Sequence, residues 1–471
     1  MKRRRPTRDM NRATLLRRAR DRTSDVGRAI LSPPAFWKRP AQPRALIALT
    51  VGALVALVIA FQMAVRPIES LGGSDVTEYE SYGSKMLDGA VPYRDFRMEY
   101  PPGASLMFVL PATGVVAGGS TRGVEWSPAN AAARRYYRGF TSLVLLQLAA
   151  IILLTALTLR AMHRPVWMVA LALAVVACSP LLIGRVLTER FDVLPAALSS
   201  VALAVAVRGH HRLGGVVMGL GAATKVYPAL LVPLLVLAAL RQRGAREALL
   251  AAAGAIAAAT LVILPFALAS PSGTWDALRV QFRGGLQIES LASSVLVMTG
   301  HAVELLTKIG FPPPFHLTTQ GAGHGLNRSD LAGAGVEATR TVMNVLLAAA
   351  LSLLWISAAR SRHDPREDLL RYAAATVAIL LALGTVLSPQ YIVWLIPLVP
   401  LVGGRRGTAA MLLLLVVAAA LTKIWIPDQY FEFQDSLLAG QGSLLLARNL
   451  ALLAIALALV LPAKVLKSGE S

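Results

Sequence analysis

Apolar runs long enough to cross a lipid bilayer recur along this chain of 471 residues and restrict its fold more than any other feature. They include residues 45–61, 140–159 and 408–421. About 20 helical residues cross the roughly 30 Å hydrocarbon core, where only a backbone that satisfies its own hydrogen bonds is stable. The chain is 55% hydrophobic and its mean hydropathy is +0.58, too apolar for a water-soluble protein. The sequence therefore predicts an all-α polytopic membrane protein.

Positive charge is concentrated at the N-terminus, where residues 1–44 hold 14 Arg or Lys against three Asp. The whole chain carries a formal charge of +21. Basic segments beside a membrane span stay in the cytoplasm and associate with anionic lipid. No aromatic platform for stacking nucleic-acid bases accompanies these charges. We therefore expect residues 1–44 to form a disordered cytoplasmic tail, and we expect no nucleic-acid partner.

Basic turns also follow the later apolar runs, and together they predict the topology. These turns contain Arg160, Arg208, Arg241, Arg360 and Arg405. All of them are cytoplasmic if the chain crosses the membrane about 12 times, within a range of roughly 11 to 14. This count requires the apolar stretch 104–118 to lie at the outer interface without crossing. If it crosses, a second segment such as 290–311 must restore the parity.

The predicted topology divides the chain into three parts and places both termini in the cytoplasm. Residues 45–467 form one transmembrane domain, and residues 468–471 are its cytoplasmic end. The two longest outer loops of the domain are 66–139 and 270–335. The predominance of Arg over Lys favours a GC-rich bacterial genome, so the membrane is expected to be a bacterial plasma membrane.

An acid-rich segment, residues 74–102, follows the first apolar run and has the sequence SDVTEYESYGSKMLDGAVPYRDFRMEYPP. Short polar turns connect helices with fewer carboxylates and aromatic rings, so we interpret this segment as part of a functional site. The predicted topology brings it to the same face as the turn 185–192 and the point near Lys225 where Pro228 is expected to break a helix. Ionisable residues at a membrane edge are costly, which makes Asp192 and Lys225 further candidates.

Several short motifs occur in a characteristic order. They are Asp75, Gly89-Ala90-Val91-Pro92-Tyr93-Arg94-Asp95, Tyr100-Pro101-Pro102, Arg190-Phe191-Asp192, Lys225-Val226-Tyr227-Pro228 and Ser388-Pro389-Gln390-Tyr391. Taken together over roughly residues 45–425, they resemble those of glycosyltransferase family 87. Its members are integral-membrane enzymes of the GT-C fold and include polyprenyl-phosphate-mannose-dependent α-mannosyltransferases.

The resemblance implies a hexosyl or pentosyl transferase that moves a sugar from a polyprenyl-phosphate donor to a hydroxyl of a cell-envelope glycolipid or glycan, with inversion. Mannose is the sugar best represented in the family, while arabinose and other sugars stay open. Asp75 matches the position of the family's proposed base. The chemistry is coherent, because a carboxylate takes the acceptor proton while cationic groups stabilise the departing phosphate. The predicted topology places the site outside the cytoplasm, and no cofactor is expected, because the lipid-phosphate sugar is itself a substrate.

The other candidate residues divide into two groups. Lys225, Arg190 and Arg94 are candidates for binding the donor phosphate. Candidates for binding substrate or shaping the site are Glu99, Tyr100, Asp192, Tyr227, Gln390, Tyr391 and His324.

Each main assignment has a structural alternative. Asp75 could cap a helix that begins at Val76, and Lys225 could extend from a helix end to the membrane interface. The small residues of 219–225 favour close helix packing over a phosphate-binding loop. His301, His316 and His324 share an outer loop, but their spacing fits no zinc motif, so no metal site is predicted.

Two other functions are compatible with the sequence. A transporter or flippase of lipid-linked sugars is one, although such proteins commonly contain an internal repeat and this sequence shows none. A non-catalytic scaffold for envelope assembly is the other, and it would not need Asp75.

Overall fold

A computed structural model of the protein shows a bundle of α-helices. The structure describes residues 40–68, 74–116, 126–127, 129–281, 284–307, 315–320, 328–403, 405–430, 433, 437 and 439–461. Most of the predicted tail 1–44 and all of the predicted end 468–471 lie outside these ranges.

The helices are numbered in chain order. The first eight are α1 (Pro43–Ala64), α2 (Asp75–Leu87), α3 (Ser105–Val116), α4 (Ala131–Ala161), α5 (Val166–Ile183), α6 (Arg185–Thr188), α7 (Val193–Val207) and α8 (His211–Thr224). The others are α9 (Val232–Arg243), α10 (Ala245–Ala269), α11 (Pro271–Val280), α12 (Leu291–Thr307), α13 (Val336–Arg360), α14 (Pro365–Leu383), α15 (Arg405–Ile424) and α16 (Ala439–Val460). Short 3₁₀ segments cover Pro102–Ala104, Tyr227–Leu231, Pro389–Leu395 and Val399–Leu401, and a π-helical turn covers Trp425–Gln429.

Six of the described helices are long and apolar enough to cross a membrane, namely α1, α4, α5, α10, α13 and α16. Shorter apolar helices lie at Val193–Val207, Leu291–Ala302, Pro389–Leu401 and Thr408–Ile424. The predicted all-α membrane fold is confirmed, while the count of about 12 crossings stays a prediction. Helix α3, within the doubtful stretch 104–118, has 12 residues, about 18 Å, which is shorter than the roughly 30 Å hydrocarbon core.

The long helices are apolar on their exposed faces as well as on their buried ones. Along α10, the side chains of Leu249, Ile256, Leu261 and Leu268 are each at least 67% exposed. Such a stripe would be an aggregation hazard in water, but hydrocarbon solvates it well. The opposite faces pack into one large core that includes Phe61, Phe108 and many alanines.

The segment 270–335, predicted to be an outer loop, is more structured than the sequence predicts. It contains α11, α12 and three short antiparallel strands, β1 (Leu286–Gln287), β2 (Phe315–Gln320) and β3 (Arg328–Gly333). The strand order is β1-β3-β2, and Leu331 is opposite Leu286 on one side and Leu317 on the other. A second apolar cluster around Trp425 and Leu445 packs beneath β1 and β3.

Helix α8 packs directly against α10 through glycines, as the run of small residues indicates. A Cβ atom on Gly215 would lie 2.1 Å from the carbonyl oxygen of Ala251. One on Gly219 would lie 2.1 Å from the carbonyl oxygen of Ala255. The backbone carbonyl groups of α10 cannot move aside as the end of a flexible side chain can, so these two positions require glycine. This contact holds the end of α8, and with it Lys225, in place.

Replacing Gly219 with Ala is therefore expected to destabilise the protein by about 1–3 kcal/mol, since overpacking a close contact forces the two backbones apart. The measurement is the melting temperature of detergent-solubilised protein. Gly52→Ala is the matched control, because a Cβ at Gly52 on α1 meets nothing within 4 Å. Equal melting temperatures for the two variants would contradict the role given to Gly219.

Candidate active site

Helix α2 begins at the candidate catalytic residue. Ser74 is its N-cap, and the Ser74 hydroxyl accepts a hydrogen bond from the Val76 amide at 3.4 Å. Asp75 is the first residue of the helix, so the alternative that Asp75 caps a helix starting at Val76 is wrong. The Asp75 side chain is 22% exposed and can meet a substrate.

Asp75 forms an ion pair with Arg190, which lies in the turn between α6 and α7. The Tyr79 hydroxyl also donates to Asp75 Oδ2 at 3.4 Å. Desolvation lowers the pKa of Arg190 to about 10, so the guanidinium stays charged at neutral pH. The turn 185–192 and the acid-rich segment thus meet, as the predicted topology requires.

A second ion pair lies two residues further along the same turn. Lys225 Nζ is 3.2 Å from Asp192 Oδ1, and the two side chains are only 7% and 1% exposed. Trp394 Nε1 donates to the same carboxylate oxygen at 2.9 Å. Lys225 stands where α8 ends in extended backbone before the 3₁₀ segment Tyr227–Leu231, which is the helix break predicted near Pro228.

Aromatic rings surround the Lys225 ammonium. Its Nζ lies 4.8 Å from the ring centre of Phe191, 5.2 Å from Tyr391, 5.8 Å from Trp394 and 5.9 Å from Tyr100. Such distances are within the range of cation–π attraction. The alternative that Lys225 extends to the membrane interface is wrong, since the residue is buried and paired.

Aromatic rings in edge-to-face and stacked contacts connect the two ion pairs. The Tyr79 ring contacts Tyr100 at 5.7 Å and Phe191 at 5.8 Å between centroids. On the other side, Tyr227 and Tyr391 stack on Trp394 at 4.2 and 4.1 Å. The candidates Tyr100, Tyr227 and Tyr391 therefore lie in one cluster with Asp192 and Lys225.

The remaining candidates are placed differently. Glu99 is buried, and its carbonyl accepts from Gln281 Nε2 at 2.7 Å. Gln390 is half-buried in the 3₁₀ segment next to Tyr391. His324 lies outside the described residues.

Arg94 lies in an exposed ion pair with Asp95 at 2.8 Å, and not in the cluster around Lys225. The hydrogen bonds from Arg94 lower the pKa of Asp95 to about 2. The structure places the Arg94 guanidinium in this exposed pair, and its role as a phosphate ligand stays a prediction.

A buried carboxylate that the sequence analysis missed lies beside the same arginine turn. Glu289 is 1% exposed, accepts from Trp425 Nε1 at 2.9 Å and interacts with the charge of Arg190. Arg448, also buried, donates to the Glu289 carbonyl at 2.5 Å. Burial raises the pKa of Glu289 to about 7, although Arg448 and Trp425 oppose the shift. The single cation Arg448 within the apolar run of α16 was the available sequence signal.

This shift predicts a pH dependence of stability. The folded protein holds a proton on Glu289 up to a pKa of about 7, whereas the unfolded chain releases it near 4.5. Between these pH values the folded state binds more protons, so raising the pH should lower the free energy of unfolding. Glu289→Gln, which stays neutral, should flatten this slope in melting temperatures measured from pH 5 to 7. Parallel slopes for the variant and the wild type would refute the shift.

Another charged group, the carboxylate of Glu189, contacts the residue that precedes Asp75. Glu189 is 3% exposed and receives two hydrogen bonds from Arg66, at 2.7 and 3.0 Å. The Ser74 hydroxyl donates to the same carboxylate at 2.8 Å. Glu189 therefore ties the chain following α1 to the N-cap of α2, immediately before Asp75. Sequence spacing did not indicate this contact.

No group of three His, Cys, Asp or Glu side chains capable of holding a metal ion occurs among the described residues. His301 Nε2 lies 2.7 Å from the carbonyl oxygen of Leu437. The side chain of His316 and the whole of His324 lie outside the described part of the chain. The expectation of a metal-free, cofactor-free site stays a prediction.

The family model for glycosyltransferase family 87 matches residues 99–389. These include Arg190, Asp192 and Lys225 and begin downstream of Asp75. One similar solved structure is the crystal structure of ArnT from Cupriavidus metallidurans bound to undecaprenyl phosphate. It has 14% identity and a TM-score of 0.43, covering 89% of this chain and 77% of that chain. No curated protein matches the sequence.

Proposed function

This chain belongs to glycosyltransferase family 87, and we propose that it transfers a sugar from a polyprenyl-phosphate donor to a hydroxyl of a cell-envelope glycolipid or glycan, with inversion. Mannose is the sugar we favour. The observation that carries the proposal is the pair Asp75–Arg190, a partly exposed carboxylate and a cation held together beside the buried pair Asp192–Lys225.

Asp75 is the proposed general base. Its carboxylate accepts the proton of the acceptor hydroxyl as that oxygen attacks the anomeric carbon of the sugar. The bond between the anomeric carbon and the phosphate oxygen breaks, and its electron pair leaves with the polyprenyl phosphate. Attack from the face opposite the leaving group inverts the configuration. Each cycle therefore ends with a new glycoside, a polyprenyl phosphate and one proton on Asp75.

Arg190 is the cation best placed to stabilise the leaving phosphate. A guanidinium carries five N–H donors, so Arg190 can hold Asp75 and a phosphate oxygen at the same time. The ammonium of Lys225 is already compensated by Asp192 and enclosed by rings. Lys225 therefore acts chiefly by fixing the Arg190-Phe191-Asp192 turn, and any contact with phosphate is secondary.

We propose that the site faces the outside of a bacterial plasma membrane and that both termini are cytoplasmic. Single cysteines test this topology in a Cys178→Ala background, which lacks the only native thiol. An impermeant maleimide should label exposed Asp88→Cys in intact cells, and should label His210→Cys and Ala245→Cys only after lysis. The neighbouring residues Gly89, Gly209 and Gly244 are avoided, because their positive φ angles disfavour a side chain. Labelling of position 210 in intact cells would refute the topology.

The experiment that tests the function supplies radiolabelled sugars on polyprenyl phosphate to membranes with and without this protein. Mannosyl, arabinosyl and glucosyl donors form the panel, and products are separated as lipid-soluble and glycan-bound label. The proposal predicts transfer that depends on the protein, from one donor class and without added nucleotide sugar. Absence of transfer from every lipid-linked donor, alongside transfer from a nucleotide sugar, would overturn it.

A further inference from the structure

A cavity of about 590 Å³ lies between the C-terminal end of α1 and the first turns of α4, next to the site but distinct from it. We propose that it binds the phosphate of an anionic membrane lipid. The residues that carry this inference are Phe61, Arg66, Arg134, Arg138 and Leu145, all of which line the cavity. Its volume is within the range of about 300–1,000 Å³ that small ligands occupy.

The charge of the cavity wall favours an anion. Three arginines line it, and Arg134 and Arg138 are four residues apart, on one face of α4. Glu189 pairs with Arg66 and lies 3.9 Å from Arg185 as well, so one carboxylate is shared by two guanidiniums. Guanidinium groups bind phosphate oxygens in a bidentate manner, so the three arginines together offer a lipid phosphate several N–H donors.

The position of the cavity suits a lipid anchored in the bilayer. Helix α4 has 31 residues and a length of about 46 Å, whereas the hydrocarbon core is about 30 Å thick. Its first turns, with Arg134 and Arg138, therefore extend to the level of the lipid headgroups. Phe61, Val65 and Leu145 add apolar lining to the cavity. Basic pockets between membrane helices at this depth recognise lipid phosphates.

A shared carboxylate connects the cavity to the site. Arg66 in the cavity wall binds Glu189, and Glu189 accepts a hydrogen bond from Ser74, the N-cap that precedes Asp75. A phosphate that draws Arg66 away from Glu189 would alter the support of α2. Lipid binding itself does not depend on the proposed transfer reaction, whereas any effect of the lipid on turnover rests on it.

The test measures lipid retained by the full-length, detergent-purified protein in native mass spectrometry. Dioleoyl phosphatidylglycerol, undecaprenyl phosphate, dioleoyl phosphatidylcholine and inorganic phosphate are titrated separately. The double variant Arg134→Gln/Arg138→Gln should bind anionic lipid at least tenfold more weakly than the wild type. Arg135→Gln removes one positive charge from an exposed position of α4 outside the cavity and should bind as the wild type does.

The lipid series identifies the source of the phosphate. Binding of both anionic lipids assigns a general lipid phosphate. Binding of undecaprenyl phosphate alone would assign the cavity to the sugar donor and contradict a separate lipid site, and displacement by inorganic phosphate alone would contradict a lipid site altogether. Equal binding of phosphatidylcholine and phosphatidylglycerol, or equal weakening by Arg135→Gln, would overturn the inference.

A second variant covers the case in which the double variant does not fold. Ser142 is exposed and lines the cavity. Ser142→Trp places an indole ring there while all three arginines are kept, and it should also reduce lipid retention. Unchanged retention in a folded Ser142→Trp protein contradicts the inference. Because no sugar donor is present, lipid binding without any transfer activity would leave this inference standing while rejecting the proposed function.

Discussion

Asp75→Asn should lower sugar transfer by about a hundredfold to ten-thousandfold, the usual contribution of a general base, in a protein that still folds. Asn keeps the size of the side chain but cannot accept the proton of the acceptor hydroxyl. Folding should survive, because Ser74 provides the N-cap of α2 and Asp75 is only its first residue. Arg190 would keep the attraction of Asp192 and Glu289. Initial rates with saturating donor measure the effect.

Asp95→Asn is the control, since it removes a carboxylate of the same segment from the exposed pair with Arg94. It should transfer sugar nearly as well as the wild type. Near-normal transfer by folded Asp75→Asn protein would exclude Asp75 as the base. Glu80 would then be the next acid to test, although it is buried and its carboxylate accepts from Ser84 at 2.7 Å.

Lys225→Met should destabilise the protein by about 3–5 kcal/mol, because it leaves a buried carboxylate without its cation. The partner, Asp192, is 1% exposed; its carboxylate also accepts the hydrogen bond from Trp394 and interacts with the charge of Arg190. From the sequence, replacing Lys225 would be expected to weaken donor use more than folding. Because Lys225 is buried and paired, we expect its replacement to lower the stability of the protein more than its use of the donor. Melting curves of the solubilised protein measure this loss of stability.

A double variant separates charge from packing. Lys225→Met/Asp192→Asn removes both charges while the Asn oxygen can still accept from Trp394, so it should recover much of the lost stability. Arg366→Gln breaks an exposed pair with Asp364 and should scarcely change the melting temperature. If Lys225→Met melts like Arg366→Gln, the buried ion pair does not hold the turn 190–192 in place.

The sequence predicted the parts of the fold that local chemistry determines. Apolar runs of bilayer length indicated the membrane helices, and Pro228 indicated the break after α8. The one-sided distribution of basic turns predicted that the acid-rich segment, the turn 185–192 and the Lys225 region converge. The structure brings Asp75 to Arg190 and Lys225 to Asp192 at one place. Small residues likewise indicated that α8 packs closely against a neighbouring helix, and the structure shows that this neighbour is α10.

Pairings between distant side chains could not be predicted, because they depend on how helices are rotated against one another. Nothing in the spacing of Glu189 and Arg66, or of Glu289 and Trp425, indicates a contact. The short strands of the loop 270–335 were missed because two- to six-residue segments lack a usable period. The sequence suggested Arg94 as a ligand of the donor phosphate, but it did not show that the Arg94 side chain pairs with the next residue, Asp95.

The most direct test of the whole account is the formation of a glycosidic bond by purified protein in proteoliposomes. The liposomes contain one labelled polyprenyl-phosphate sugar and a lipid extract as acceptor, and the assay quantifies both the new glycoside and the released polyprenyl phosphate. A glycosyltransferase with Asp75 as its general base should form equal amounts of the two products, and Asp75→Asn should lead to a loss of both. Movement of intact donor across the bilayer without any new glycoside would instead identify a flippase and contradict the account.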